Sequence, residues 1–166
     1  YITASPYYFI EMQGFSPRAY SVLFATNAFG IFAANYANSR LVRRVGAVGM
    51  IGGACLTGFT GALTLLLGVS LHDLLPLAIG GLFLMVSVTG LLGANCVGML
   101  MERYPVNTGA AAALFGAGQF GLGMLASAAV SYLHDPAGQA MAWVILAVSL
   151  MAVAGWLLFR WKDAPP

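Results

Sequence analysis

The sequence predicts an all-α, polytopic membrane protein, and two observations carry that prediction. The first is composition: 166 residues, 60% of them hydrophobic and only 7% charged, with a mean hydropathy of +0.86. Soluble domains carry about 25% charged residues, so this chain cannot coat a water-facing surface. The second is the placement of those charges, which cut the chain into long uncharged stretches of spanning length. The stretches are unbroken and lack strand-like alternation, which points to helices rather than a barrel. A water-soluble enzyme, a disordered chain and a nucleic-acid binder are excluded together, because the net charge is only +2 and no basic block offers a footprint. The partner implied is the lipid bilayer.

The elements follow in order. Residues 1–12 read as the second half of a spanning helix. They have no initiator Met and no charged leader with a cleavage site, so the chain is expected to be a C-terminal piece of something longer. Full spans are expected over 18–39, 46–70, 75–101, 108–133 and 137–160. Ser16-Pro17 and Asp135-Pro136 each place a capping oxygen before a proline at the first helical position, and Asn107-Thr108 can cap the span that follows. The short joints predict antiparallel neighbours.

The basic residues sort to one side. Arg40, Arg43, Arg44, Arg103, Arg160 and Lys162 fall at alternate joints and the C-terminus, whereas Arg18 alone shares the other side with Glu11, Asp73 and Asp135. That bias puts the C-terminus in the cytoplasm. Trp143, Trp156, Trp161 and Tyr132 fall near span ends, as interfacial aromatics do.

Within the spans, small residues recur at four-residue spacing: Gly90, Ala94 and Gly98; Gly109, Ala113, Ala117 and Gly121; Gly49 and Gly53. Such stripes let helix backbones approach closely in lipid, either as fixed packing or as a sliding contact. Polar residues at depth are Tyr7, Tyr8, Asn27, Asn95 and Gln119, the last beside Phe115 and Phe120. Each has two readings: an interhelical hydrogen bond, or the wall of a mainly apolar solute cavity. Glu11 reads as a solvated helix-end acid or as an outer-gate, cation- or proton-attracting group. Asn35 and Asn38 are placed to cap or to bind the arginine loop, and His72-Asp73 reads as a loop cap. Cys55 and Cys96 lie in apolar runs with no disulfide or metal-ligand spacing and read as packing residues. No nucleophile elbow, H-E-x-x-H or phosphate-cradling glycine loop occurs, and His72 and His134 lack a carboxylate-rich partner set, so no enzyme and no metal are expected.

Three stretches are more specific: Y-I-T-A-S-P-Y-Y-F-I-E at Tyr1–Glu11, N-S-R-L-V-R-R-V-G-A at Asn38–Ala47, and Glu102–Gly123, which contains E-R-Y-P, T-G and Q-F-G-L-G. In this order they resemble the C-terminal half of the Bcr/CflA branch of the major facilitator superfamily, the bicyclomycin-resistance type of drug:proton antiporter. The resemblance implies the C-terminal six-helix bundle of a twelve-helix fold, its first helix truncated here, with the N-terminal half as missing partner. It implies alternating access in a bacterial inner membrane, no cofactor, and a proton gradient as the energy source. Small amphipathic drugs are then expected against Tyr8, Asn27, Asn95, Gln119 and Phe120. Arg40, Arg43 and Arg44, with Glu102 as the nearest acidic partner, are expected to form a conformational gate. The coupling carboxylate is expected mainly in the absent half. Val106, Asn107 and Thr108 stand where the superfamily often has an arginine, so that gate contact is not implied. A non-transporting scaffold and a metabolite importer of the same fold stay open as alternatives.

Overall fold

The computed structural model describes residues 1–71, 74–133 and 139–162, the side chain of Lys162 excepted. His72, Asp73, His134 and the Asp135-Pro136 cap lie outside the described residues. The chain is all-α: after a π-helical segment at Tyr7–Met12 come α1 (Pro17–Val45), α2 (Ala47–Ser70), α3 (Leu75–Ser87), α4 (Thr89–Arg103), α5 (Thr108–Tyr132) and α6 (Gln139–Lys162). Among the described residues there is no strand.

Local chemistry sets the boundaries. At the start of α1, Ser16 Oγ accepts from the Ala19 N–H at 3.1 Å and Pro17 occupies the first helical position. The other end departs from expectation. Arg40, Arg43 and Arg44 are not in a loop but ride on the last turns of α1, where cations complement the carbonyl end of the helix. The joint is Gly46 alone, at φ +78°, its N–H donating to the Val42 carbonyl at 2.9 Å. Asn107 precedes α5 without a side-chain cap bond. The expected span 75–101 runs from Leu75 to Arg103 and is broken at Val88 into α3 and α4. Ser87 Oγ donates to the Phe83 carbonyl at 2.6 Å and Thr89 Oγ1 to the Val86 carbonyl at 2.7 Å; hydroxyls bonded back onto the helix are a common cause of such bends.

Ala47–Ser70, Leu75–Arg103, Thr108–Tyr132 and Gln139–Trp161 are long and apolar enough to cross a membrane. With 29 residues, α1 is long enough as well, about 43 Å at the α-helical rise. Asn27, Asn35 and Asn38 make it more polar, and burial explains their presence: Asn27 and Asn38 face the bundle interior.

The central helix is α2, packed against α1, α3, α4 and α6. The core gathers Phe9, Leu65, Leu82, Val86, Met141 and Ile145. At the α2–α3 contact the backbones touch. A Cβ added at Gly61 meets the Gly81 carbonyl oxygen at 2.8 Å, and one added at Gly68 meets the Ala78 Cα at 2.8 Å. The expected stripes are mostly not the contacts. Gly53, Gly98, Gly109 and Gly121 face open space, Gly49 meets only Val45 of the preceding helix, and Gly90 alone packs across an interface, against Ile31 and Asn35. Spacing marks where close approach is allowed, but only the partner's position decides where it occurs.

In contrast to α2, α5 has no buried residue; among the described residues it packs on α4 and α6 and meets the first segment through Ser127 and Thr3. Two cross-bundle bonds align the helix ends. Asn95 on α4 bonds Asn38 on α1, and the Trp156 indole on α6 bonds the Val48 carbonyl at the start of α2. The ends bearing Arg40, Arg43, Arg44, Arg103 and Arg160 therefore gather at one end of the bundle, opposite Arg18 at the start of α1.

Candidate functional site: an orphaned asparagine beside an apolar groove

Inward-facing amides are the rarest resource in this chain, and Asn27 is the most constrained of them. It sits near the middle of α1, one helical face with Leu23 and Gly30, both buried with it. Only 1% of it is exposed, and among the described residues neither Oδ1 nor Nδ2 has a hydrogen-bond partner. The Tyr1 phenol interacts with the Asn27 side chain without closing a bond of acceptable geometry. An orphaned buried amide costs about 1–3 kcal/mol, so its retention calls for a reason beyond packing.

Beside it, between α1 and α3, lies a groove of about 470 Å³ lined by Leu23, Thr26, Asn27, Ile79, Gly80 and Phe83. That volume is within the range of small-molecule sites. The lining is almost wholly apolar: Thr26 turns its hydroxyl back to the Val22 carbonyl at 2.9 Å, so Asn27 is the one amide at this wall. A solute here would be held by shape and apolar contact, and the Asn27 amide, closed to solvent, would have to turn outward to orient it. A smaller cavity of about 160 Å³ lies between the first segment, α5 and α6, beside a 3.0 Å hydroxyl contact between Thr3 and Ser127.

The other expected solute contacts divide. Tyr8 is buried in the core, edge-on to Phe9 with centroids 5.0 Å apart. Asn95 is 6% exposed and its Nδ2 donates to Asn38 Oδ1 at 2.9 Å and to the Leu91 carbonyl at 2.8 Å, so its amide already serves a helix–helix bond. Gln119 is exposed on α5, as is Phe120, 78% of which is open. The five residues do not share one pocket in this structure: of them, only Asn27 lines either cavity.

At the basic end, Arg40 folds back along its own helix. Its Nη2 donates to the Tyr36 hydroxyl at 2.9 Å and its guanidinium lies 5.1 Å from the Tyr36 ring centroid. Arg43, Arg44 and Glu102 are exposed, and Glu102 makes no ion pair with these arginines. Asn38 does not serve the arginines but bonds Asn95. Its signal was present in the sequence: it lies three helical turns from Asn27, on the same inward face. Glu11 is exposed beside the Ser16-Pro17 turn, on the π-helical segment that also exposes Tyr7. Cys55 and Cys96 are free thiols, and Cys55 Sγ approaches the Ala152 carbonyl at 3.7 Å across the α2–α6 contact. Among the described residues no group of three metal-ligating side chains forms.

The chain is 29% identical over 133 residues to a bicyclomycin resistance protein homolog of Haemophilus influenzae, a match covering 79% of this chain and 33% of that protein. The resemblance to the bicyclomycin-resistance type holds. The chain spans about a third of the length of this relative. No family profile matches the chain, and no solved structure does. The apolar helices and this likeness together support a multi-pass membrane protein.

Proposed function

We propose that this chain is the C-terminal six-helix half of a major facilitator exporter that moves amphipathic drugs out of the cell. The first helix is partly represented by the segment before α1, and a second six-helix half completes the carrier. Export runs by alternating access and is driven by exchange against protons, with no cofactor. The arginine-bearing end faces the cytoplasm across a bacterial inner membrane. Arg40, Arg43 and Arg44 act at that end as gate contacts, effective only through a difference in their interactions between inward-open and outward-open states. Of Tyr8, Asn27, Asn95, Gln119 and Phe120, Asn27 is the solute-facing residue of this half, and Gln119 and Phe120 on the open face of α5 are the further candidates.

The observation that carries this reading is the orphaned Asn27 amide at an apolar groove, in a chain similar to a bicyclomycin resistance protein homolog. An apolar wall with one amide suits broad, weakly directional recognition better than it suits a sugar, which needs several hydrogen-bonding groups. The test is drug tolerance and accumulation in cells carrying the full-length transporter. Overexpression is expected to lower accumulation of several amphipathic drugs, and Asn27→Ala at matched expression is expected to reverse that. Unaltered tolerance on both deletion and overexpression would refute export.

A further inference from the structure

A notch in α1 sets the width of the groove beside Asn27. Gly30 lies one turn along α1 from Asn27, buried with it, and two groups of α3 occupy the space its missing side chain leaves. A Cβ at Gly30 would meet Phe83 Cε2 at 2.7 Å and Cζ at 3.0 Å, and it would overlap the Ser87 hydroxyl. The edge of the Phe83 ring is thus inserted where α1 offers bare backbone. Ser87 Oγ donates to the Phe83 carbonyl at 2.6 Å, which ties the two occupants of the notch together. Phe83 is half-buried and is the one aromatic side chain among the residues lining the groove. One turn back on α3, Gly80 lines the same wall, and a Cβ there would meet nothing within 4 Å. The α3 wall is therefore an aromatic ring beside a hollow.

We infer that Phe83, held in the Gly30 notch, determines the size of the solute this groove accepts, and that the groove takes flat aromatic solutes. The inference rests on the groove beside Asn27 being the solute site. An aromatic wall favours aromatic solutes, because rings attract each other through offset-stacked and edge-to-face contacts beyond simple burial. The hollow at Gly80 gives such a ring room beside Phe83. Depth of insertion into the notch decides how far Phe83 withdraws from the groove. A methyl group at Gly30 displaces the ring, since the end of a side chain yields where helix backbone does not, and the side open to it is the groove. The groove then narrows. Removal of the ring widens it. These two changes act on opposite sides of one contact, so they shift size preference in opposite directions, whereas mere loss of packing weakens every solute alike. Phe83 is the specificity-determining residue, and Gly30 and Ser87 are positioning residues for it.

The test is equilibrium binding of benzyl alcohol, naphthalenemethanol and anthracenemethanol to the full-length transporter in nanodiscs, with empty nanodiscs as the partition reference. The three probes share one hydroxymethyl group and differ only in the number of fused rings. The ratio of anthracenemethanol to benzyl alcohol affinity is expected to rise about tenfold in Phe83→Ala and to fall by a similar factor in Gly30→Ala, the scale on which apolar pockets discriminate by size. Gly98→Ala, which opens onto free space on α4, should keep the wild-type ratio. If Phe83→Ala does not fold, Phe83→Leu should move the ratio in the same direction. A ratio unmoved in the Phe83 and Gly30 variants, or moved the same way in both, would overturn the assignment of Phe83 and leave the groove standing as a solute site. Failure of wild type to bind any of the three would overturn the assignment together with the groove. Neither result depends on drug tolerance in cells, which tests export separately.

Discussion

Asn95 Nδ2 donates to Asn38 Oδ1 at 2.9 Å, joining α4 to α1 through two buried amides fifty-seven positions apart. The same Nδ2 also reaches the Leu91 carbonyl, so the amide is held from two directions. This pair secures the basic end of the bundle, while Asn27, three turns away on α1, is left without a partner.

Replacing Asn95 with Leu should therefore destabilise the protein, because Asn38 loses its donor while staying buried. Interhelical hydrogen bonds in membranes average about 0.6 kcal/mol, and an orphaned amide adds to that loss. A cost of about 1–2 kcal/mol is expected. The double variant Asn38→Leu/Asn95→Leu should recover part of it, and a double-mutant cycle on detergent-solubilised full-length protein measures the coupling. Strict additivity would mean that the two amides do not act as a pair.

Asn27 should behave oppositely. Asn27→Leu removes an unsatisfied polar group and keeps the branched heavy-atom skeleton, the added bulk of its methyl groups being taken up toward the groove, so stability should be unchanged or raised by about 1 kcal/mol. Drug accumulation should nevertheless rise toward that of the deletion strain. A variant that is both less stable and fully active would reverse the assignment of this residue.

Glycine tolerance should follow contact rather than spacing. Gly81→Ala places a methyl group against the α2 backbone near Gly61 and Leu65, where no side chain can move aside. Overpacking of this kind costs about 1–3 kcal/mol, and lower expression with a depressed unfolding midpoint is expected. Gly98→Ala and Gly121→Ala open onto free space and should change stability by less than about 0.5 kcal/mol. Equal sensitivity at all three positions would show that α4 and α5 meet further surfaces there.

Gly46→Ala tests the α1–α2 joint. At φ +78° and ψ 157° the backbone occupies a region reserved essentially for glycine, at a cost of about 1–3 kcal/mol for a residue with a Cβ. Limited proteolysis should show faster cleavage at this joint in the variant, together with a lower unfolding midpoint. Wild-type behaviour would mean that the joint relaxes at no cost.

Ordered by range of interaction, these features separate what could be read from the chain and what could not. The all-α membrane class was legible because charge spacing and hydropathy are properties of short windows, as was the Ser16-Pro17 start of α1. The three motif stretches were legible as a resemblance, and a relative named for bicyclomycin resistance matches it. The arginine positions were legible but their setting was not: a loop was expected at Arg40–Arg44, and a helix runs through it to Gly46.

Sequence by itself thus determined the bilayer as solvent, the approximate threading and the few polar side chains worth watching, because each depends on residues within one or two turns. Tertiary structure alone decided that Asn95 holds Asn38, that Gly61, Gly68 and Gly81 carry the backbone contact between α2 and α3, and that Trp156 seats Arg160 beside the α1–α2 joint. The physical reason is that helices in lipid are not sorted by hydrophobicity, so partner choice falls to shape and a handful of hydrogen bonds between residues tens of positions apart.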